Sequence, residues 1–241
     1  MTVLVRPAAI GIVLAGGASR RMQPPDAGAG ERRAVPPVRK EWIEIGGRTL
    51  LARVVDAIAA ATSRTIVVAA PGRPLPPLSR PVEVVYDSAP GAGPLAALLD
   101  GLRAIGHTPA EPFVFVSSCD VPLLDTAVVR LLLERAAATA ADWIVPEIAG
   151  HPQVLTSVVR RTLIGPITAW LASGRRDPRG LLEALRGDAA LRIGTVAAGE
   201  IAAVDPRLDS FRDVDTPAAC AEIIRQLPYG DGGGTTYTSP S

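Results

Sequence analysis

The sequence predicts an α/β fold built on a mostly parallel central sheet with helices over both faces. Three observations carry this. Runs of β-branched and aliphatic residues alternate along the chain with stretches of helical periodicity. The strand candidates read as near-continuous apolar segments, as strands do when both of their faces are covered. A chain of 241 residues suffices for one full domain of this kind, and no internal repeat or composition break marks a second.

The elements follow in order. A first strand over Ala8–Leu14 is apolar throughout and runs straight into Gly16 and Gly17. The spacing predicts a helix over Thr49–Ala61, a strand over Thr65–Ala69 and another over Val82–Tyr86. A helix over Gly93–Ile105 precedes the strand Phe113–Ser117, and a helix over Thr126–Ala140 precedes the strand Trp143–Val145. Short helices over Ile167–Ser173 and Arg179–Leu185, a strand over Ala190–Val196 and a last helix over Pro217–Gln226 complete the alternation. Two segments break it. Residues 23–39 hold four prolines and no periodicity, and read as an inserted surface loop. The Gly/Thr/Ser-rich tail 229–241 reads as disordered, leaving 1–228 as the domain.

Composition narrows the function classes. Hydrophobic residues make up 48% but aromatics only 4%, so Leu, Val, Ala and Ile must build the core. With a formal net charge of +1 and few stacking rings, the chain lacks the basic face of a nucleic-acid platform. No apolar run approaches the length of a bilayer span, and the N-terminus leaves no room for a signal peptide. Two cysteines, Cys119 and Cys220, are too few for a disulfide framework, which fits a cytoplasmic enzyme. Of the 25 basic residues, Lys40 is the only lysine. A compact ammonium suits a crowded phosphate site where a guanidinium would not fit.

From Leu14 to Met22 the chain reads Leu-Ala-Gly-Gly-Ala-Ser-Arg-Arg-Met. The glycines let the backbone approach a phosphate without a Cβ in the way. Successive N–H groups then converge on the anion, and Arg20 and Arg21 can close on it with forked hydrogen bonds. Gly-Gly after a strand is also an ordinary tight turn; strand, double glycine and paired arginine together favour the cradle. No G-x-x-x-x-G-K-[ST] occurs, and Gly91-Ala-Gly-Pro-Leu-Ala96 fails the G-x-G-x-x-G pattern at its last position.

This loop resembles the signature of the nucleotidyltransferases that activate an NTP for attack at its α-phosphorus. Its Ala-Gly-Gly is similar to that of the molybdenum cofactor guanylyltransferase branch. The resemblance implies a three-layer α/β/α, Rossmann-like nucleotidyltransferase fold. It also implies transfer of GMP from GTP to the terminal phosphate of molybdopterin or its Mo-loaded form, with release of pyrophosphate and Mg²⁺ as cofactor. Leu14, Ala15, Gly16 and Gly17 would then bind the nucleotide, with Arg21 a catalytic cation on its phosphates.

Four further segments extend the resemblance. Lys40 stands in the family's lysine position, counted back from Gly47, and would neutralise the phosphates as charge builds on pyrophosphate; a solvated lysine on a strand edge is the alternative. Here Gln23 stands where the family has Gly, Arg39 where it has Asp, and the insertion 23–39 separates loop from lysine. In Tyr86–Ala97, Asp87 would contact the base or ribose, and the Gly93-Pro94-Leu95 turn would lie against the purine; a turn capping a strand reads equally well from these residues alone. In Phe113–Leu124, Asp120 follows a buried strand and matches the family's metal-binding aspartate, with Cys119 a packed neighbour and an N-cap as the alternative role. Before the last helix, Asp213 and Asp215 replace the family's two Asn; Asp215 is a second Mg²⁺ ligand candidate, and a plain cap is open for Asp213.

Gly150-His-Pro-Gln-Val-Leu155 resembles an acceptor-side segment that leads into a helix ending in paired arginines, here Arg160 and Arg161. With Arg175, Arg176 and Arg179 these would bind a phosphorylated acceptor. His107 and His151 show no metal-ligand spacing and no triad partner. Transient contact with cofactor-biosynthesis or molybdoenzyme proteins is expected, with no nucleic acid or membrane as partner. Two other readings stay open: a relative using CTP or a sugar-phosphate acceptor, and a non-catalytic nucleotide-binding protein.

Overall fold

The computed structural model describes residues 9–16, 39–106 and 112–226. The bulk of the 23–39 insertion and the tail 229–241 lie outside them. The main sheet runs in the order β5 (Glu83–Tyr86), β4 (Arg64–Ala69), β1 (Ala9–Ala15), β6 (Phe113–Ser118), β9 (Thr156–Val159), β7 (Trp143–Ile148), β10 (Ile193–Ala197). The short β8 (His151–Pro152) pairs with β7 off this path. All pairings from β5 to β6 are parallel, as is β7 with β10. β9 alone runs against both of its neighbours, β6 and β7. Its four residues are all buried, so no alternation in the sequence announces the strand.

The period of two along a strand divides the core between two faces. Val13 packs on one side with Val67 and Phe115, against α1 (Leu50–Ala59) and α3 (Thr126–Thr139). Ile12 and Leu14 pack on the other with Val68 and Val116, against α2 (Pro94–Ala104), α4 (Ile164–Ala172) and α5 (Pro178–Arg186). In α1, Leu50, Leu51, Val54, Val55 and Ile58 recur at helical spacing and are buried. Each such side chain contributes roughly 1.5–3 kcal/mol of burial.

Side-chain caps set the helix starts. Thr49 accepts from the Ala52 amide ahead of α1, Asp125 from the Ala127 amide ahead of α3, and Asp177 from the Gly180 amide ahead of α5. α4 begins earlier than its periodicity suggests, because Pro166 falls within the first turn, where a missing amide costs nothing. A four-residue helix, α6 (Ala198–Ile201), follows β10, and α7 (Pro217–Gln226) starts where expected.

A smaller unit stands beside the sheet. One 3₁₀ turn over Lys40–Trp42 leads into a hairpin of β2 (Glu44–Ile45) and β3 (Arg48–Thr49). Gly46 and Gly47 turn the hairpin at φ +58° and +70°, a conformation that a side chain would disfavour at both positions. Ile43, Ile45 and Leu50 pack there with Val214, Cys220 and Ile223, the last two from α7. This third cluster fastens the segment that carries Lys40 to the one that carries Asp215.

Candidate active site

β1 leaves the sheet centre toward β4 on one side and lies against β6 on the other, so the connections diverge at their carboxyl ends and open a crevice there. The chain after β6 is tied to β1 by the Cys119 amide, which donates to the Leu14 carbonyl at 3.1 Å. Asp120 follows at once. Its backbone carbonyl accepts from the Val214 amide at 2.8 Å, which draws the segment ahead of α7 onto the same rim.

Three charged side chains meet at this point. The Lys40 ammonium donates to Asp120 Oδ2 at 2.9 Å and also to Asp215 Oδ1. Ser118 donates from Oγ to Asp120 Oδ1 at 2.5 Å. The side chains of Lys40, Asp120 and Asp215 keep only 14%, 19% and 31% of their surface exposed. Burial alone would lower the Lys40 pKa, but the carboxylates of Asp120 and Asp215 outweigh it and hold the pKa above the usual lysine range. Ser118 is the residue that sequence reasoning missed. Its hydroxyl reaches Asp120 across the turn that follows β6, a contact that strand alternation does not announce.

The lysine is placed by its neighbours. The Arg39 guanidinium, which takes a position where the family pattern has Asp, turns away to Glu41 Oε1 at 3.1 Å and to the Pro74 carbonyl at 2.6 Å. It also lies over the Trp42 ring at 5.7 Å, and Trp42 Nε1 donates to the same Pro74 carbonyl at 3.2 Å. The 3₁₀ turn is thus clamped to the loop after β4 while the Lys40 side chain reaches the rim.

The alternative roles as helix caps are taken by other residues. Asp125 caps α3, which leaves Asp120 to the rim, and Thr216 accepts from the Ala219 amide at 3.1 Å ahead of α7, a role left open for Asp213. Asp213 instead lines the cleft. Burial pushes the Cys119 thiol well up, reinforced by Asp120 and Glu41, so it stays protonated and unreactive.

Of the expected nucleotide contacts, Leu14 and Ala15 have their side chains in the core, so only their backbone can face a ligand. Gly16 adjoins Asp87: a Cβ there would stand 3.8 Å from Asp87 Oδ2. Asp87 Oδ1 accepts from the Ala89 amide at 2.9 Å in a local turn, and the residue is buried. Gly93 starts α2 at φ +95°, Pro94 is the first helical residue, and the Leu95 side chain is buried in the core. Gly17 and Arg21 lie outside the described residues.

A cleft of about 650 Å³ opens on this rim, with Pro94, Asp120, Gln153, Arg179, Asp213 and Asp215 among its walls. The acceptor-side arginines divide. Thr156–Val159 is a strand rather than the expected helix, and because it runs antiparallel to β6 it delivers Arg160 to the opposite edge of the sheet. Arg160 stacks there on the Phe113 ring at 5.6 Å. It and its neighbour Arg161 therefore face away from the cleft. Arg175 stacks on Trp170, Arg176 donates to the Ala92 carbonyl beside Gly93, and Arg179 lines the cleft.

Comparison with known proteins identifies the family and the fold. Residues 11–190 match the family described as MobA-like NTP transferase domain. A Mycobacterium avium (strain 104) protein with the name "Probable molybdenum cofactor guanylyltransferase" is 36% identical over 174 residues, 72% of this chain and 80% of that one. The crystal structure of molybdopterin-guanine dinucleotide biosynthesis protein A from Archaeoglobus fulgidus superposes with a TM-score of 0.66 at 18% identity, covering 90% of this chain and 97% of the other. A Mycobacterium tuberculosis H37Rv protein crystallised with manganese superposes at 0.59 with 16% identity, covering 91% and 100%. The two structural likenesses speak for the fold. With the family match over most of its length, and a relative of this identity, the chain belongs to the MobA-like NTP transferase family.

Proposed function

We propose that this protein is a molybdenum cofactor guanylyltransferase, transferring GMP from GTP to the terminal phosphate of molybdopterin or its Mo-loaded form. The observation that carries the reading is the convergence of Asp120, Asp215 and the chain's single lysine at the sheet's central crevice. A terminal phosphate oxygen of the pterin attacks the α-phosphorus of GTP. The new P–O bond forms as the bond to the bridging oxygen breaks, and pyrophosphate leaves with that electron pair. The nucleophile is already an anion, so the site needs no strong base.

The chain's own residues position and neutralise. The backbone at Leu14, Ala15, Gly16 and Gly17 cradles the triphosphate, and Arg21 and Lys40 balance the charge that builds on the leaving group. The turn at Gly93, Pro94 and Leu95 takes the guanine, and Asp87, beside Gly16, contacts the base or ribose. Arg179 faces the acceptor across the cleft. Asp120 and Asp215 offer only carboxylate oxygens on one rim, a hard donor set that suits Mg²⁺ completed by phosphate oxygens and water. When bound, such an ion withdraws charge from the phosphate oxygens. The manganese complex of the M. tuberculosis neighbour supports a divalent cation in this fold. No helix among the described residues is long and apolar enough to cross a membrane, and both cysteines are buried free thiols. We place the reaction in the cytoplasm, with transient hand-over to other proteins of cofactor assembly.

Pyrophosphate release from GTP with Mg²⁺ and purified molybdopterin tests the reading, alongside thermal-shift titrations with GTP, ATP, CTP and UTP. A selective response to CTP would sink the guanylyl assignment. Asp120→Ala should lower the rate by about 10²–10³-fold, as loss of a charge-stabilising group does; wild-type release from that variant would remove Asp120 from the site.

A further inference from the structure

Asp120 and Asp215 come from segments far apart in sequence, yet the Val214 amide on the Asp120 carbonyl brings their carboxylates to one point. Two like charges held together in a half-buried place are stabilised by a cation between them. The protein supplies one of its own, because the Lys40 ammonium contacts an oxygen of each. An ammonium and a divalent ion repel, so the two compete for the same pair of oxygens. We propose that Lys40 is the resident cation of this site in the nucleotide-free protein. A divalent cation enters only as a nucleotide's phosphates draw the lysine away.

The geometry allows that exchange. The clamp of Arg39 and Trp42 on the Pro74 carbonyl fixes the backbone of the turn. The flexible four-carbon stem of lysine lets the ammonium move while that backbone stays in place. Its destination is an anion on the same rim, where Gly16 follows β1. The carboxylate pair thus keeps a counter-cation before and after substrate arrives, and metal binding is made conditional on nucleotide. The inference rests on the nucleotide site proposed above, but one of its arms needs no nucleotide.

Mn²⁺ binding to the purified full-length protein, read from the electron paramagnetic resonance of free Mn²⁺, tests it. Without nucleotide, Lys40→Met should bind Mn²⁺ about tenfold more tightly than wild type, because the metal no longer competes with the ammonium for the two carboxylates. Mn²⁺ should also raise the Tm of the variant more than that of wild type. Equal or weaker Mn²⁺ binding by Lys40→Met would overturn the inference. A second measurement uses wild type only, so a variant that fails to fold does not block the test. Lys40 is the only lysine, so ¹⁵N-lysine labelling gives a single side-chain ammonium signal. That signal should hold through a titration with Mg²⁺ alone and shift when a GTP analogue with a methylene between the α- and β-phosphorus is added with Mg²⁺. A signal unmoved by analogue and Mg²⁺ overturns the exchange. Tighter Mn²⁺ binding by Lys40→Met without any response to GTP supports the lysine's tenancy while removing the guanylyl reading.

Discussion

Ser118→Ala isolates how much of the site depends on the orientation of one carboxylate. The Ser118 hydroxyl donates to Asp120 Oδ1 at 2.5 Å, while the other oxygen, Oδ2, receives the Lys40 ammonium at 2.9 Å. Removing the hydroxyl leaves the charge of Asp120 intact and frees its carboxyl group to rotate. A hydrogen bond to a charged acceptor is worth about 1.5–3 kcal/mol. With 19% of the Asp120 side chain exposed, water can take the vacated place, which favours the low end. About 1.4 kcal/mol is tenfold in rate, so kcat/KM should fall by about that factor. Stability should move by less than about 0.5–1 kcal/mol, since the Ser118 backbone keeps its bond to the Leu155 carbonyl and the side chain is not in the core. The assay is pyrophosphate release over a grid of GTP and Mg²⁺ concentrations, with urea melts alongside. The rate deficit should shrink as Mg²⁺ rises, and Ser118→Thr, which keeps the hydroxyl, should recover most of the activity. A deficit independent of Mg²⁺, or a threonine variant as poor as alanine, would refute an orienting role.

Three other perturbations read different parts of the molecule. A Cβ at Gly11 would stand 2.1 Å from Cγ2 of the fully buried Ile58, so Gly11→Ala should cost about 1–3 kcal/mol in a denaturant melt; adding Ile58→Leu, which removes the branch methyl, should recover part of the loss. Arg179→Ala should raise KM for the pterin acceptor, whereas Arg160→Ala, at the far edge of the sheet, should leave it unchanged while lowering Tm. The Lys40 pKa is higher in the folded chain than the ordinary value of 10.5, so its contribution to stability is complete below that pH and is lost as pH rises through the folded pKa. Wild type should therefore lose more stability above pH 10.5 than Lys40→Met does, as urea midpoints across that range will show.

What the sequence made legible is local. Apolar runs located six of the main-sheet strands within a few residues, and an aspartate just past one of them marked the rim. The remainder depends on contacts between distant segments. β9 has four residues, all buried, and its direction is set only by the chain returning from β8 to fill the gap between β6 and β7. That reversal carries Arg160 and Arg161 away from the cleft, although the resemblance groups them with Arg179 as acceptor contacts. Likewise, nothing in the stretch around Lys40 indicates that Ile43 and Ile45 pack against Val214 and Ile223, the contact that brings lysine and Asp215 together.

The same contact bears on why position 40 holds a lysine in a chain otherwise so rich in arginine. A guanidinium could neutralise both carboxylates, but its planar fork favours one of them in a two-point grip. An ammonium is compact, donates in three directions, and can touch Asp120 and Asp215 together. It can also leave. If the lysine must pass from carboxylates to phosphates within one binding event, Lys40→Arg should retain stability and lose turnover. That pairing of outcomes separates a cation needed for charge alone from one needed for its mobility. A variant that keeps both wild-type stability and wild-type turnover would show that charge suffices.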